Sequence, residues 1–128
     1  MTNLNLSSEL EWQLLQELWK KSPQTAKQLW QLLYPDEEKS YSTVITYLNR
    51  MVDKEILSMH KIGNVNLYDP AVTEDTAKSS ATQRFVSRVF QGSFGRLASF
   101  LVETDKLTAE EIEELEAFFE EMRRGTDD

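Results

Sequence analysis

Apolar residues recur along this chain at helical spacing, interrupted once by a stretch in which they alternate. Leu10, Leu14, Leu15, Leu18 and Trp19 fall on one helix face. Ser8-Glu9-Leu10-Glu11 opens that helix as a capping box, hydroxyl and carboxylate each accepting a free N–H, and Ser22-Pro23 should end it. Thr25-Ala26-Lys27-Gln28 is a second capping box. It starts a shorter helix with Leu29, Leu32 and Leu33 inward, stopped by Tyr34-Pro35-Asp36. A third helix is predicted from Ser40 to about Glu55. At about 100° per residue, Val44, Ile45, Tyr47, Leu48, Met51 and Val52 share one arc. Ser42, Thr43, Thr46, Asn49, Arg50, Asp53 and Lys54 share the opposite arc. Taken alone, this is also the pattern of any amphipathic surface helix.

The alternating stretch follows at once. Leu57, Met59 and Lys61 alternate with Ser58, His60 and Ile62, and Val65 to Tyr68 alternate again after Gly63-Asn64. Glycine supplies the positive φ of a two-residue hairpin turn, so a hairpin is expected, ending at Asp69-Pro70 because proline cannot donate to a ladder. Helix, helix, polar-faced helix and hairpin, in that order, is the arrangement of a winged helix-turn-helix.

From Thr73 the character changes. A polar helical stretch leads into Phe85, Val86, Val89 and Phe90, and Gly92-Ser93 breaks it. Phe94, Leu97, Ala98 and Leu101 then follow at i, i+3, i+4 and i+7. Thr108-Ala109-Glu110-Glu111 is a third capping box, opening a helix with Ile112, Leu115, Phe118, Phe119 and Met122 on its apolar stripe. Helices with strong stripes and little else to pack on point to a partner, the alternative being that they dock back onto residues 1–72. The fold class expected is mainly α with a small β-hairpin wing: a winged head over 1–72 and a helical dimerisation arm over 73–128.

Charge sharpens this division. The chain has 128 residues, 14 Lys+Arg, 22 Asp+Glu and a formal net charge of −8. An acidic protein is repelled by nucleic acid unless its cations are segregated. Residues 1–72 carry 7 basic and 9 acidic side chains, and residues 73–128 carry 7 and 13, so most of the excess acid lies outside the head. Absence of cysteine removes disulfides, thiolate zinc sites and thiol catalysis. No run approaches the ~20 apolar residues of a membrane span, and no charged-then-apolar signal opens the chain. A cytoplasmic protein without membrane insertion is expected.

Catalysis has little to stand on. His60 is the single histidine and falls in the hairpin, there is no glycine-rich phosphate loop, and Glu113 and Glu114 belong to a solvated helix face. No enzyme, metal or cofactor is expected. The third helix instead offers short polar groups for base edges: Ser42, Thr43, Thr46 and Asn49, with hydroxyls able to bond most bases and threonine methyls able to meet thymine methyls. Arg50 and Lys54, one turn or more later, suit phosphates. Lys61 and Asn64 would bring the wing to the backbone or the minor groove. Lys20, Lys21 and Lys27 add charge near the first two helices.

Several blocks resemble the penicillinase-repressor family of bacterial transcription regulators, which also includes copper-responsive repressors. Glu11-Trp12, with Trp19 further on, is similar to the family's first helix. Ser40 to Leu57 is similar to its recognition helix, matching at Thr43, Val44, Thr46 and Arg50. Phe85, Phe90-Gln91-Gly92-Ser93-Phe94, Leu97 and Leu107 to Leu115 are similar to its dimerisation region. The resemblance implies a homodimer held through Phe85, Val89, Phe94, Leu97, Leu101, Ile112, Leu115, Phe118 and Phe119. Its heads would bind double-stranded palindromic operator DNA with TACA and TGTA half-sites and repress a resistance or stress operon. A sensor-protease pathway cuts the family's β-lactam-type members at an Asn-Phe bond, and the matching pair here is Phe100-Leu101. Metal sensing through a C-terminal cysteine pattern has no counterpart. Ile45 stands where a basic residue is common, and Glu55 where glycine is usual. The alternative to a repressor is a winged helix used as a protein-interaction module, motivated by the −8 charge.

Overall fold

The computed structural model describes Leu6 and residues 8–126, apart from the side chains of Met122 and Thr126. The expected place of Met122 on the last apolar stripe therefore lies outside the described residues. The element order is α1 (Glu9–Lys20), β1 (Gln24–Thr25), α2 (Ala26–Leu33), α3 (Tyr41–Asp53), β2 (Leu57–Ile62), β3 (Val65–Pro70), α4 (Glu74–Val89), α5 (Phe94–Glu103) and α6 (Ala109–Thr126). It divides into two compact units, the first running to Gln83 and the second beginning at Arg84. The boundary expected from the sequence, after residue 72, lies eleven residues earlier, at the end of the wing. Early α4 clusters with the first unit, where Ala77 is buried.

In the first unit the core comes from the predicted stripes. Leu10, Leu14, Leu15 and Leu18 of α1 pack with Ala26 and Leu29 of α2, Val44, Leu48 and Met51 of α3, and Ile56, Leu57 and Tyr68 of the hairpin. Burial of such side chains contributes about 1.5–3 kcal/mol each. Leu32, expected inward, is instead 56% exposed. An eight-residue α2 offers the core a face narrower than its run of leucines, and Leu32 falls off it.

Helix starts follow local chemistry. The Ser8 hydroxyl accepts from the Glu11 N–H at 3.2 Å. Thr25 and Gln28 complete their reciprocal box, as do Thr108 and Glu111. Ser40 caps α3 by accepting from the Thr43 N–H. Two indoles tie segments together: Trp19 Nε1 donates to the Val72 carbonyl at 3.0 Å, and Trp30 Nε1 to the Lys39 carbonyl at 2.7 Å. The second bond, with the Trp30–Tyr41 edge contact at 5.7 Å, fastens the turn between α2 and α3.

The hairpin forms as expected, with Ile62 opposite Val65 across Gly63-Asn64 and Gly63 at φ 63°. A third strand was not anticipated. β1 pairs antiparallel with β3, Gln24 opposite Tyr68, giving the order β1-β3-β2. Gln24 is buried, and its Nε2 donates to the Glu17 and Lys21 carbonyls at the end of α1, satisfying acceptors that a helix end leaves open. Together these elements form a winged helix. Among the described residues no helix is long and apolar enough to cross a membrane.

The second unit is a helical array with few fully buried residues, Val86 being one. Phe90 bridges Phe85 and Phe100 at centroid distances of 5.8 and 5.6 Å. Phe94, Leu97, Leu101 and Leu107 face Ile112, Leu115 and Phe119 across an apolar groove of about 390 Å³.

Candidate nucleic-acid interface

Because α3 is pinned by Val44, Leu48 and Met51, its opposite face is outward. Ser42, Thr46, Asn49 and Arg50 are exposed and Thr43 is half-buried. Several of these groups are already oriented. Ser40 Oγ lies 3.0 Å from Ser42 Oγ and 2.9 Å from Thr43 Oγ1, so both hydroxyls lean toward the helix cap. Thr46 Oγ1 donates to the Ser42 carbonyl at 2.9 Å. Its proton is committed within the helix, leaving its lone pairs and methyl to face outward. Arg50 carries its guanidinium 4.8 Å above the Tyr47 ring, a cation–π contact that restrains the side chain without neutralising it.

Lys54, expected to suit phosphates, has an intramolecular partner. Its Nζ lies 3.0 and 3.3 Å from the two carboxylate oxygens of Glu11, and the Glu11 side chain has no solvent exposure. The cation is spent on a buried acid that no nearby sequence signal connects to it. His60, in β2, is exposed with Nδ1 3.7 Å from Asp69 Oδ2.

On the wing, Lys61 and Asn64 are exposed, as are the apolar Ile62 and Val65. An open cleft of about 430 Å³ separates the wing from α3 and the start of α2, bringing Asn49 and Asn64 to a common rim together with Lys27, Tyr41 and Asn66. Ile45, at the position where the resemblance calls for a basic residue, forms part of its apolar wall. Asn66 was missed by the sequence reading, since an asparagine within an alternating strand carries no signal of its own. Burial raises the Tyr68 hydroxyl above its ordinary pKa, so it remains a protonated donor at neutral pH.

A model of the penicillinase repressor family matches residues 7–121. The chain belongs to the penicillinase repressor family. Among its relatives, the penicillinase repressor of Bacillus licheniformis is 29% identical over 116 residues, covering 91% of each chain. The methicillin resistance regulatory protein MecI of Staphylococcus aureus (strain N315) is 27% identical over 108 residues, 84% of this chain and 88% of that one. Among solved structures, the DNA-binding domain of the repressor BlaI superposes with a TM-score of 0.52 at 28% identity, covering 58% of this chain and 90% of that domain. The family is one of repressors, so the reading of this chain as a non-enzyme stands on its family.

The remaining predicted residues lie in the second unit of this penicillinase repressor family member. Phe85, Val89, Phe94, Ile112, Leu115, Phe118 and Phe119 are all large exposed hydrophobics, while Leu97 and Leu101 are half-buried in the groove. Phe100 and Leu101 sit inside α5, not in a loop.

Proposed function

We propose that this chain is a homodimeric repressor that binds a palindromic operator of TACA/TGTA type through α3 and the wing. The observation that carries the reading is the outward row Ser42, Thr46, Asn49 and Arg50, held beside the wing in a chain of the penicillinase repressor family. Short side chains on a helix let the backbone approach base edges closely, and Arg50 can reach a guanine edge or a phosphate. Its relatives, a penicillinase repressor and the DNA-binding domain of the repressor BlaI, support the same assignment, and a resistance or stress operon is the corresponding target.

Dimerisation through the second unit is supported by its surface. Phe118 at 60% and Phe119 at 51% exposure belong to an apolar face of the kind that marks an interaction site. Pairing two heads makes the second half-site contact intramolecular, raising avidity ~10²–10⁴-fold. That gain offsets the modest number of cations on each head. Control by a sensor-protease at Phe100-Leu101 would require α5 to unwind locally, because the bond lies within a helix.

The test is a mobility shift on a TACA/TGTA palindrome against a scrambled duplex of equal length, with sedimentation equilibrium on the free protein. A dimer with clear operator preference is expected. Equal affinity for both duplexes would remove the repressor reading and leave the winged helix as a protein-interaction module.

A further inference from the structure

A recognition helix in the major groove and a wing in the neighbouring minor groove have one strand of the duplex between them. The concavity separating α3 from the wing is therefore where a sugar-phosphate backbone must pass, if both elements engage DNA at once. The composition of this cleft is unlike that of the chain. The protein carries 22 acidic residues, yet among the described residues none lines the cleft, whose polar groups include one lysine, Lys27, and three asparagines, Asn49, Asn64 and Asn66. Among the described residues no carboxylate pairs with Lys27.

Asn66 adds a second observation. Its Oδ1 is buried without a hydrogen-bond partner, an arrangement that is unfavourable unless something satisfies it. Asn66 and Tyr68 are two apart on β3, so their side chains share one face, and the Tyr68 hydroxyl is within reach of the Asn66 amide. With that amide turned so that Oδ1 accepts the Tyr68 proton, Nδ2 is left as the donor of a residue that lines the cleft. The orphaned acceptor is then satisfied, and the cleft gains a fixed donor suited to an anionic oxygen.

We propose that the cleft between α2, α3 and the wing seats a DNA phosphodiester, with Lys27 as its cation and Asn66 as its buried donor. The inference rests on the reading that α3 and the wing face DNA. It adds Lys27 and Asn66 to the contact surface and assigns them a sequence-independent role, distinct from the base-reading face of α3.

The experiment measures binding of the full chain to the palindrome and to the scrambled duplex across a salt series. Lys27→Met should lower the slope of log affinity against log salt by about 0.9 on both duplexes, a ~5-fold loss at 0.15 M salt relative to 1 M. Asn66→Asp keeps an acceptor for Tyr68 but turns a carboxylate oxygen toward the phosphate, and should weaken both duplexes at least ~10-fold. Thermal melting verifies that each variant is folded, and the lysine variant stands alone if the aspartate variant does not fold. An unchanged salt slope for Lys27→Met overturns the proposal, as does a loss confined to the palindrome. If wild type shows no preference for the palindrome, the repressor reading fails while the slope on scrambled DNA still decides the phosphate seat.

Discussion

Lys54 Nζ lies 3.0 Å from Glu11 Oε2, joining the C-terminal cap of α3 to a fully buried carboxylate on α1 across 43 residues of sequence. Removing one partner of a buried pair takes away a compensating charge and costs about 3–5 kcal/mol. Lys54→Met should therefore lower unfolding stability by roughly that amount in a urea titration. At a temperature where the variant is folded, its salt slope on DNA should equal that of wild type. A reduced slope with normal stability would return Lys54 to the phosphate surface.

Thr46 has its hydroxyl proton bonded to the Ser42 carbonyl, so toward a base it offers an acceptor and a methyl. Thr46→Ala should cost ~1–3 kcal/mol on the operator and little on scrambled DNA. Thr46→Val, which keeps the methyl, separates the two contributions. Equal losses for alanine on both duplexes would make Thr46 a positioning contact.

Glu55 follows the α3 cap with φ at 64°, in the left-handed region where a side chain costs roughly 1–2 kcal/mol. Glycine relieves this strain but has more freedom to lose on folding. Glu55→Gly should raise stability by up to ~1 kcal/mol, seen as a higher denaturation midpoint. A lower midpoint would show that the Glu55 side chain contributes more than its backbone strain removes.

Leu115 and Phe118 lie on the exposed apolar face of α6. Replacing both by glutamate should yield a monomer in sedimentation and weaken operator binding at least ~100-fold through lost avidity. The head should be unaffected, since the core of the first unit contains neither residue. A monomer that binds the palindrome as wild type does would contradict paired reading.

What the sequence determined by itself was everything set within one or two helical turns. The two faces of α3, the reciprocal caps at Thr25 and Thr108, and the Gly63 turn all depend on residues three or four apart, where spacing fixes geometry. Exposure of the Ser42, Thr46, Asn49 and Arg50 row followed from the same periodicity. Only the tertiary structure decided what joined distant segments. It drew Lys54 to Glu11, added Gln24 to the sheet opposite Tyr68, left Leu32 at the surface and brought Lys27 and Asn66 to one cleft. A cation's local pattern is the same whether it meets a phosphate or a buried carboxylate, so its partner is settled only when the chain folds back on itself.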